Sequence, residues 1–214
     1  MDWAFITHHL ISGSIPVMAA LVLYFLIMRM IGKKQTAGHI TASFVFCFYL
    51  IGVLTVTGIC VKGASFSPRI VMIPFADMIR GPVDTVLNIL LFVPFGFFLP
   101  LLYKEFDSVG RIALLGLFVS LSIEIIQMFG FGATDINDLI TNTVGSCVGY
   151  SIFKFLIRVI PGSWIRKNNV NGPLCYLELL LFWVGSINIM LTIQPYLYHI
   201  IFAAGIDHGE MHMW

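Results

Sequence analysis

Glu124 stands thirteen residues into an apolar stretch that begins at Arg111, roughly 20 Å along a helix rising 1.5 Å per residue. A carboxyl in hydrocarbon costs on the order of 2.5–3.5 kcal/mol or more, so its presence calls for a role. Gln127 follows at i+3 on the same face. Asp84 and Asn88 open a second apolar stretch at a spacing of i, i+4, and Asp138 and Asn142 open a third at the same spacing. Asp135 and Asn137 lie in the short connection before Asp138. Four carboxyls and several amides thus collect at one end of three apolar segments. Glu124 is the candidate general acid or base. The oxygens also suit a hard cation such as Mg²⁺ or Ca²⁺, although no cofactor is expected. No histidine lies near the set, which argues against zinc. Nucleophilic catalysis has only Thr134, Thr141 and Ser122 nearby, without a Cys or His at that depth. Structural roles compete with all of these. Asp135 and Asp138 form an Asp-x-x-Asp pair at a helix start, and Asp84 follows Pro82 at another. Carboxyls there cap free N–H groups and suit the positive helix end. Asn88, Asn142 and Gln127 are equally able to bond between helices.

The elements that must position these residues are membrane spans. Of 214 residues, 58% are hydrophobic and 11% charged, against about 25% charged in a typical soluble protein. The mean hydropathy is +0.93. A water-soluble fold of this size has too much surface to bury that much apolar side chain. The apolar runs are continuous rather than alternating, so the fold class is all-α, a polytopic bundle of about six transmembrane helices forming a single domain over residues 1–214. The spans run from about Leu10 to Ile31, Ile40 to Val61, Val83 to Tyr103, Arg111 to Phe129, Asp138 to Ile160 and Leu174 to Pro195. Pro16 falls in the first turns of the first span.

Charge sets the orientation. Arg29, Lys33, Lys34, Lys104, Arg111, Lys154, Arg158, Arg166 and Lys167 fall on one side, and Lys62, Arg69 and Arg80 on the other. Basic residues mark the cytoplasm, so both termini are expected outside, together with the acidic set. The loop Pro161–Pro173 is expected inside. A net charge of +1 leaves no basic face for nucleic acid. The N-terminus has no Lys or Arg before its first apolar run and is not expected to be a cleaved signal. Cys47, Cys60, Cys147 and Cys175 show no metal or disulfide spacing and read as small apolar residues. His208-Gly-Glu-Met-His212 lacks the order of the His-Glu-x-x-His motif and reads as a solvated tail. Gly145-Ser-Cys-Val-Gly149 lets a helix approach closely, either within the chain or in a homodimer. Pro94 and Gly96 predict a kink or loosening of the third span. The Asp/Asn echo between the third and fifth spans is compatible with a parallel repeat.

Four stretches in this order resemble the VanZ-like family of bacterial membrane proteins. They are Ile73-Pro74-Phe75; Asn88 through Pro94, Gly96 and Pro100; Ile123-Glu124-Ile-Ile-Gln127; and Thr134-Asp135 through Asp138, Asn142, Gly145, Gly149 and Tyr150. They place a VanZ-like core at about residues 44–155. The family's motif falls on Asn88, Glu124, Gln127, Asp135, Asp138 and Asn142. Many members carry an arginine before the Asp-x-x-Asp pair, where this chain has Phe131-Gly132-Ala133-Thr134. The charge partner of the acidic set is therefore expected to be Arg80. The resemblance implies a multi-pass protein of the bacterial cell membrane linked to resistance against teicoplanin-type lipoglycopeptides. The expected mechanism is an outward-facing polar pocket for a lipid-linked or amphiphilic ligand: a membrane lipid, a cell-wall precursor or the lipoglycopeptide. An intramembrane enzyme acting on such a lipid, and a transporter or flippase, are the alternatives.

Overall fold

The structure, a computed structural model, describes residues 3–59, 69–71, 82–129, 133–159, 172 and 174–203. Six long helices account for most of them: α1 (Trp3–Met30), α2 (Ala37–Val56), α3 (Pro82–Leu102), α4 (Val109–Met128), α5 (Ile136–Val159) and α6 (Leu174–Thr192). A short α7 (Gln194–Tyr198) and a π-helical turn (His199–Ala203) follow the break after Thr192. Two three-residue strands, β1 (Arg69–Val71) and β2 (Ala133–Asp135), pair in parallel, with Arg69 opposite Ala133. The Pro161–Pro173 loop apart from Gly172, and the tail from residue 204 onward, lie outside the described residues.

Five of the long helices are long and apolar enough to cross a membrane. Large apolar side chains such as Leu23, Leu90, Phe118 and Phe155 stand exposed on the outside of the bundle, as suits a surface that faces lipid. The chain is a multi-pass membrane protein. The remaining long helix, α5, has 24 residues and is long enough to span at 1.5 Å per residue. Its lower apolarity has a structural reason. Its buried stripe is Asn137, Thr141, Asn142, Gly145, Ser146, Gly149 and Phe153, which is polar or small at nearly every position.

That stripe packs on α3, the most extensive helix pair in the protein. A Cβ on Gly145 would strike the Ile89 carbonyl oxygen, one on Gly149 the Val93 carbonyl oxygen, and one on Gly96 the Ser146 carbonyl oxygen. Residue numbers rise together along the two helices, so α3 and α5 run parallel. Each helix is preceded by one strand of the parallel pair. The Gly-x-x-x-Gly pattern therefore serves close packing within the chain, and a homodimer built on Gly145 and Gly149 would have to compete with α3.

Several expected details differ. α1 begins at Trp3 rather than near Leu10, which puts Pro16 inside the helix instead of in its first turns. The polar residues that mask this extension by hydropathy are accommodated locally: Thr7 Oγ1 donates to the Trp3 carbonyl at 3.0 Å. α2 ends at Val56, five residues short of Val61. Gly58, at φ +76°, turns the chain there, and Ile59 N donates back to the Leu54 carbonyl at 3.0 Å, closing the helix end through a left-handed residue. α3 is one unbroken helix through Pro94 and Pro100. The Tyr49 hydroxyl donates to the Leu91 carbonyl at 2.7 Å and ties α2 to α3. Phe46, Phe92, Phe95, Leu99, Tyr103 and Phe106 fill the core between α2, α3 and the link to α4.

Candidate functional site

The two ends of the bundle differ in charge. At one end, Lys154 Nζ bonds Asp107 at 3.0 and 3.2 Å, joining the last turns of α5 to the α3–α4 link. Arg111 donates to the Glu105 carbonyl in that link. Lys104 and Arg158 belong to the same end. The expected acidic set gathers at the opposite end, where α3 and α5 start and α4 finishes.

The first feature there is a helix start held from two directions. Asp135 Oδ1 accepts Asn137 N at 2.8 Å and Asn137 Nδ2 at 2.9 Å, the geometry of an N-cap on α5. Glu124 Oε2, from α4, accepts Asp135 N at 3.0 Å. Glu124 is only 2% exposed. One of its oxygens thus does for the start of α5 what the glutamate of a capping box does within one helix.

The second feature is a column of polar groups between α3 and α5. Asp84 is exposed in the first turn of α3. One turn below, Asn88 Nδ2 donates to Asp138 Oδ1 at 2.6 Å, a charge-assisted bond across the parallel helices. Asn142, one turn below Asp138, is 5% exposed. Its Nδ2 donates to Ser120 Oγ at 2.9 Å. The Ser120 hydroxyl in turn donates to the Asp138 carbonyl at 3.5 Å. Exposure falls along the column from Asp84 through half-buried Asn88 and Asp138 to buried Asn142.

Asp84, Asn88, Asp138 and Asn142 thus form one constellation, and Glu124 with Asp135 a second beside it. Gln127 belongs to neither: its Nε2 donates to the Thr57 carbonyl at 2.9 Å and ties α4 to the end of α2. Arg80, the expected charge partner, lies outside the described residues. Among the described residues no group of three or more His, Cys, Asp or Glu is close enough to hold a metal ion.

A family model, VanZ/LLP1, matches residues 15–158, about two thirds of the chain. The chain belongs to the VanZ/LLP1 family. The matched stretch contains α2 to α4, α5 up to its penultimate residue and the part of α1 from residue 15 onward, and reaches further toward the N-terminus than residues 44–155. Protein VanZ of Enterococcus faecium is similar, with 45% identity over 67 residues. That alignment covers 31% of this chain and 41% of that protein, so it spans about two fifths of the relative's length. No solved structure matches. Both polar constellations of this VanZ/LLP1 protein fall inside the family match, whereas α6 falls outside it.

Sequence reasoning missed Ser120, which links Asn142 to Asp138, and a second buried centre at the basic end. There His39 Nε2 of α2 lies 2.9 Å from Glu178 Oε1 of α6. His39 is 1% exposed and Glu178 2%. The Tyr103 ring packs edge-on to His39 at 5.9 Å. Glu178 carries the same signal as Glu124, a carboxyl inside an apolar run. A further polar knot closes the other end of α1: Gln194 Nε2 donates to His9 Nδ1 at 2.5 Å and to Ser12 Oγ at 3.0 Å. His9 stacks on Tyr198 and His8 on Phe202. The start of α1 and the α7 segment therefore meet at one end of the bundle.

Proposed function

We propose that this protein contributes to resistance against teicoplanin-type lipoglycopeptides by holding a lipid-linked or amphiphilic ligand in the polar cleft between α3 and α5. One observation carries the reading: the Asn88–Asp138 bond joins the two helices beneath the exposed Asp84 and above the buried Asn142. A ligand's polar head meets acceptors at graded depth there, while its apolar part remains in hydrocarbon. The Glu124 bond to Asp135 N supports a holding role for Glu124 rather than acid–base chemistry. The basic residues of the opposite end favour a cytoplasmic position for that end, which leaves the cleft and both termini outside.

Antibiotic susceptibility of variants at matched expression tests the reading. Asp138→Asn is expected to be close to null, and Asp84→Asn and Asp135→Asn to weaken resistance by degrees. Wild-type resistance from all three would leave these carboxyls as helix caps and end the proposal.

A further inference from the structure

The hydrogen bonds of the column leave a deep acceptor unpaired. Asn88 Nδ2 donates to Asp138, Asn142 Nδ2 to Ser120, and the Ser120 hydroxyl to the Asp138 carbonyl. Asn142 Oδ1 is buried without a partner among the described residues, although Asn142 is 95% buried by its 5% exposure. It lies one helical turn beneath the carboxylate of Asp138. That carboxylate accepts a single hydrogen bond among the described residues. Asp84 adds a third acceptor at the mouth. A buried acceptor left unpaired costs about 1–3 kcal/mol, so a donor reaching Asn142 Oδ1 would be favoured there.

We propose, building on the reading above, that the cleft takes the primary ammonium of a lipid headgroup, with Asp138 as counter-ion and Asn142 Oδ1 as the deep acceptor. A compact charge with three N–H donors can bond acceptors on adjacent turns, here the Asp138 carboxylate and Asn142 Oδ1, with Asp84 one level nearer the surface. Asp138 offsets the cost of taking that charge out of water. A divalent cation asks for six or more oxygens, and the described residues bring no three acidic or His/Cys side chains together. The lipid is favoured over a soluble amine by the surroundings. Val83, Val86, Leu87 and Leu90 are exposed on α3 beside Asp84 and Asn88, a surface on which an acyl chain can lie.

The test uses the full chain, purified and examined by native mass spectrometry with added lipid. Phosphatidylethanolamine, its mono- and dimethyl forms and phosphatidylcholine keep the charge while removing donors one by one. Retention is expected to fall along the series by about tenfold in all, the scale of a lost charge-assisted bond. Asp138→Asn is expected to flatten it. The series on the unaltered protein needs no variant to fold. Equal retention of the ethanolamine and choline lipids, or preference for phosphatidylglycerol, would overturn the ammonium assignment; if Asp138→Asn still lowered retention, the cleft reading would stand. Release of the lipid by Ca²⁺ at equimolar concentration would replace the ammonium by a metal. Soluble phosphoethanolamine competing as well as the lipid would remove the lipid from the proposal. Lipid retention unchanged by both Asp138→Asn and Asp84→Asn would sink the cleft reading itself.

Discussion

At the basic end of the bundle, His39 and Glu178 face each other at 2.9 Å, both almost wholly buried. At the acidic end, Asp84, Asp138 and Asn142 present acceptors from the surface inward, and Asn88 and Ser120 answer only some of them. The first centre is enclosed: both side chains are buried and bond each other, although His39 Nδ1 and the Tyr103 hydroxyl beside it keep no partner among the described residues. The second is graded in exposure from Asp84 inward. Both place ionisable side chains in an apolar bundle, but they differ in what removes the cost. His39 and Glu178 are each other's partner and join α2 to α6. The acidic column reaches the surface through Asp84 and half-buried Asp138. A polar residue inside a membrane protein is therefore informative less by its presence than by whether its cluster is enclosed or opens to the surface.

The largest effect expected from breaking this contrast lies at the closed centre. Glu178→Ala leaves His39 buried without its hydrogen-bond partner, and a buried polar group left unsatisfied costs about 1–3 kcal/mol, to which the lost packing of the Glu178 side chain adds. Folded protein recovered in detergent should drop sharply. Replacing both, as His39→Phe with Glu178→Leu, should recover most of it, because apolar residues of similar volume replace such pairs at little cost. Failure of the double variant to recover would give the pair a role beyond stability.

Next in size is the close contact of α3 with α5 beneath the acidic column. Gly149→Leu drives a side chain into the Val93 carbonyl and should cost several kcal/mol, more than the usual 1–3 kcal/mol of overpacking, because backbone rather than a flexible side chain is in the way. Gly52→Leu, with open space around its Cβ position, should be tolerated. Thermal unfolding followed by size-exclusion fluorescence compares them.

Much of this arrangement could be read from the sequence. Glu124 announced itself as a carboxyl within an apolar run, and the i, i+4 spacing of Asp84/Asn88 and Asp138/Asn142 put each pair on one helix face. The pairing across helices was not legible. Asn88 meets Asp138 because α3 and α5 run parallel, and that depends on glycine contacts which specify closeness but not the partner. Gln127 illustrates the limit. Its spacing from Glu124 suggested a shared pocket, yet its amide reaches the Thr57 backbone, a partner with no side-chain signal. His39 lies at the polar edge of its span, and nothing in the order of residues joins it to Glu178, 139 positions away.

Smaller effects separate capping from ligand contact at the acidic end. Asp135→Ala removes an N-cap and should lower stability by about 1 kcal/mol. Asp135→Asn should lower it by less, because the two residues cap about equally well. Gln127→Ala removes one hydrogen bond of about 0.5–1.5 kcal/mol and should leave resistance unchanged. A resistance defect in Gln127→Ala at normal abundance would move Gln127 into the cleft.

The most direct test of an outward-opening cleft opposed to a sealed basic end is thiol accessibility. Single cysteines at positions 84, 88, 138, 142 and 39, in a chain with its four native cysteines replaced, would be treated on intact cells with a charged, membrane-impermeant thiol reagent. Labelling should be fast at 84, slower at 88 and 138, slowest at 142 and absent at 39, following the fall in exposure along the column. Equal protection of positions 84, 88 and 138 from outside, or labelling at 39 faster than at 88, would contradict the account.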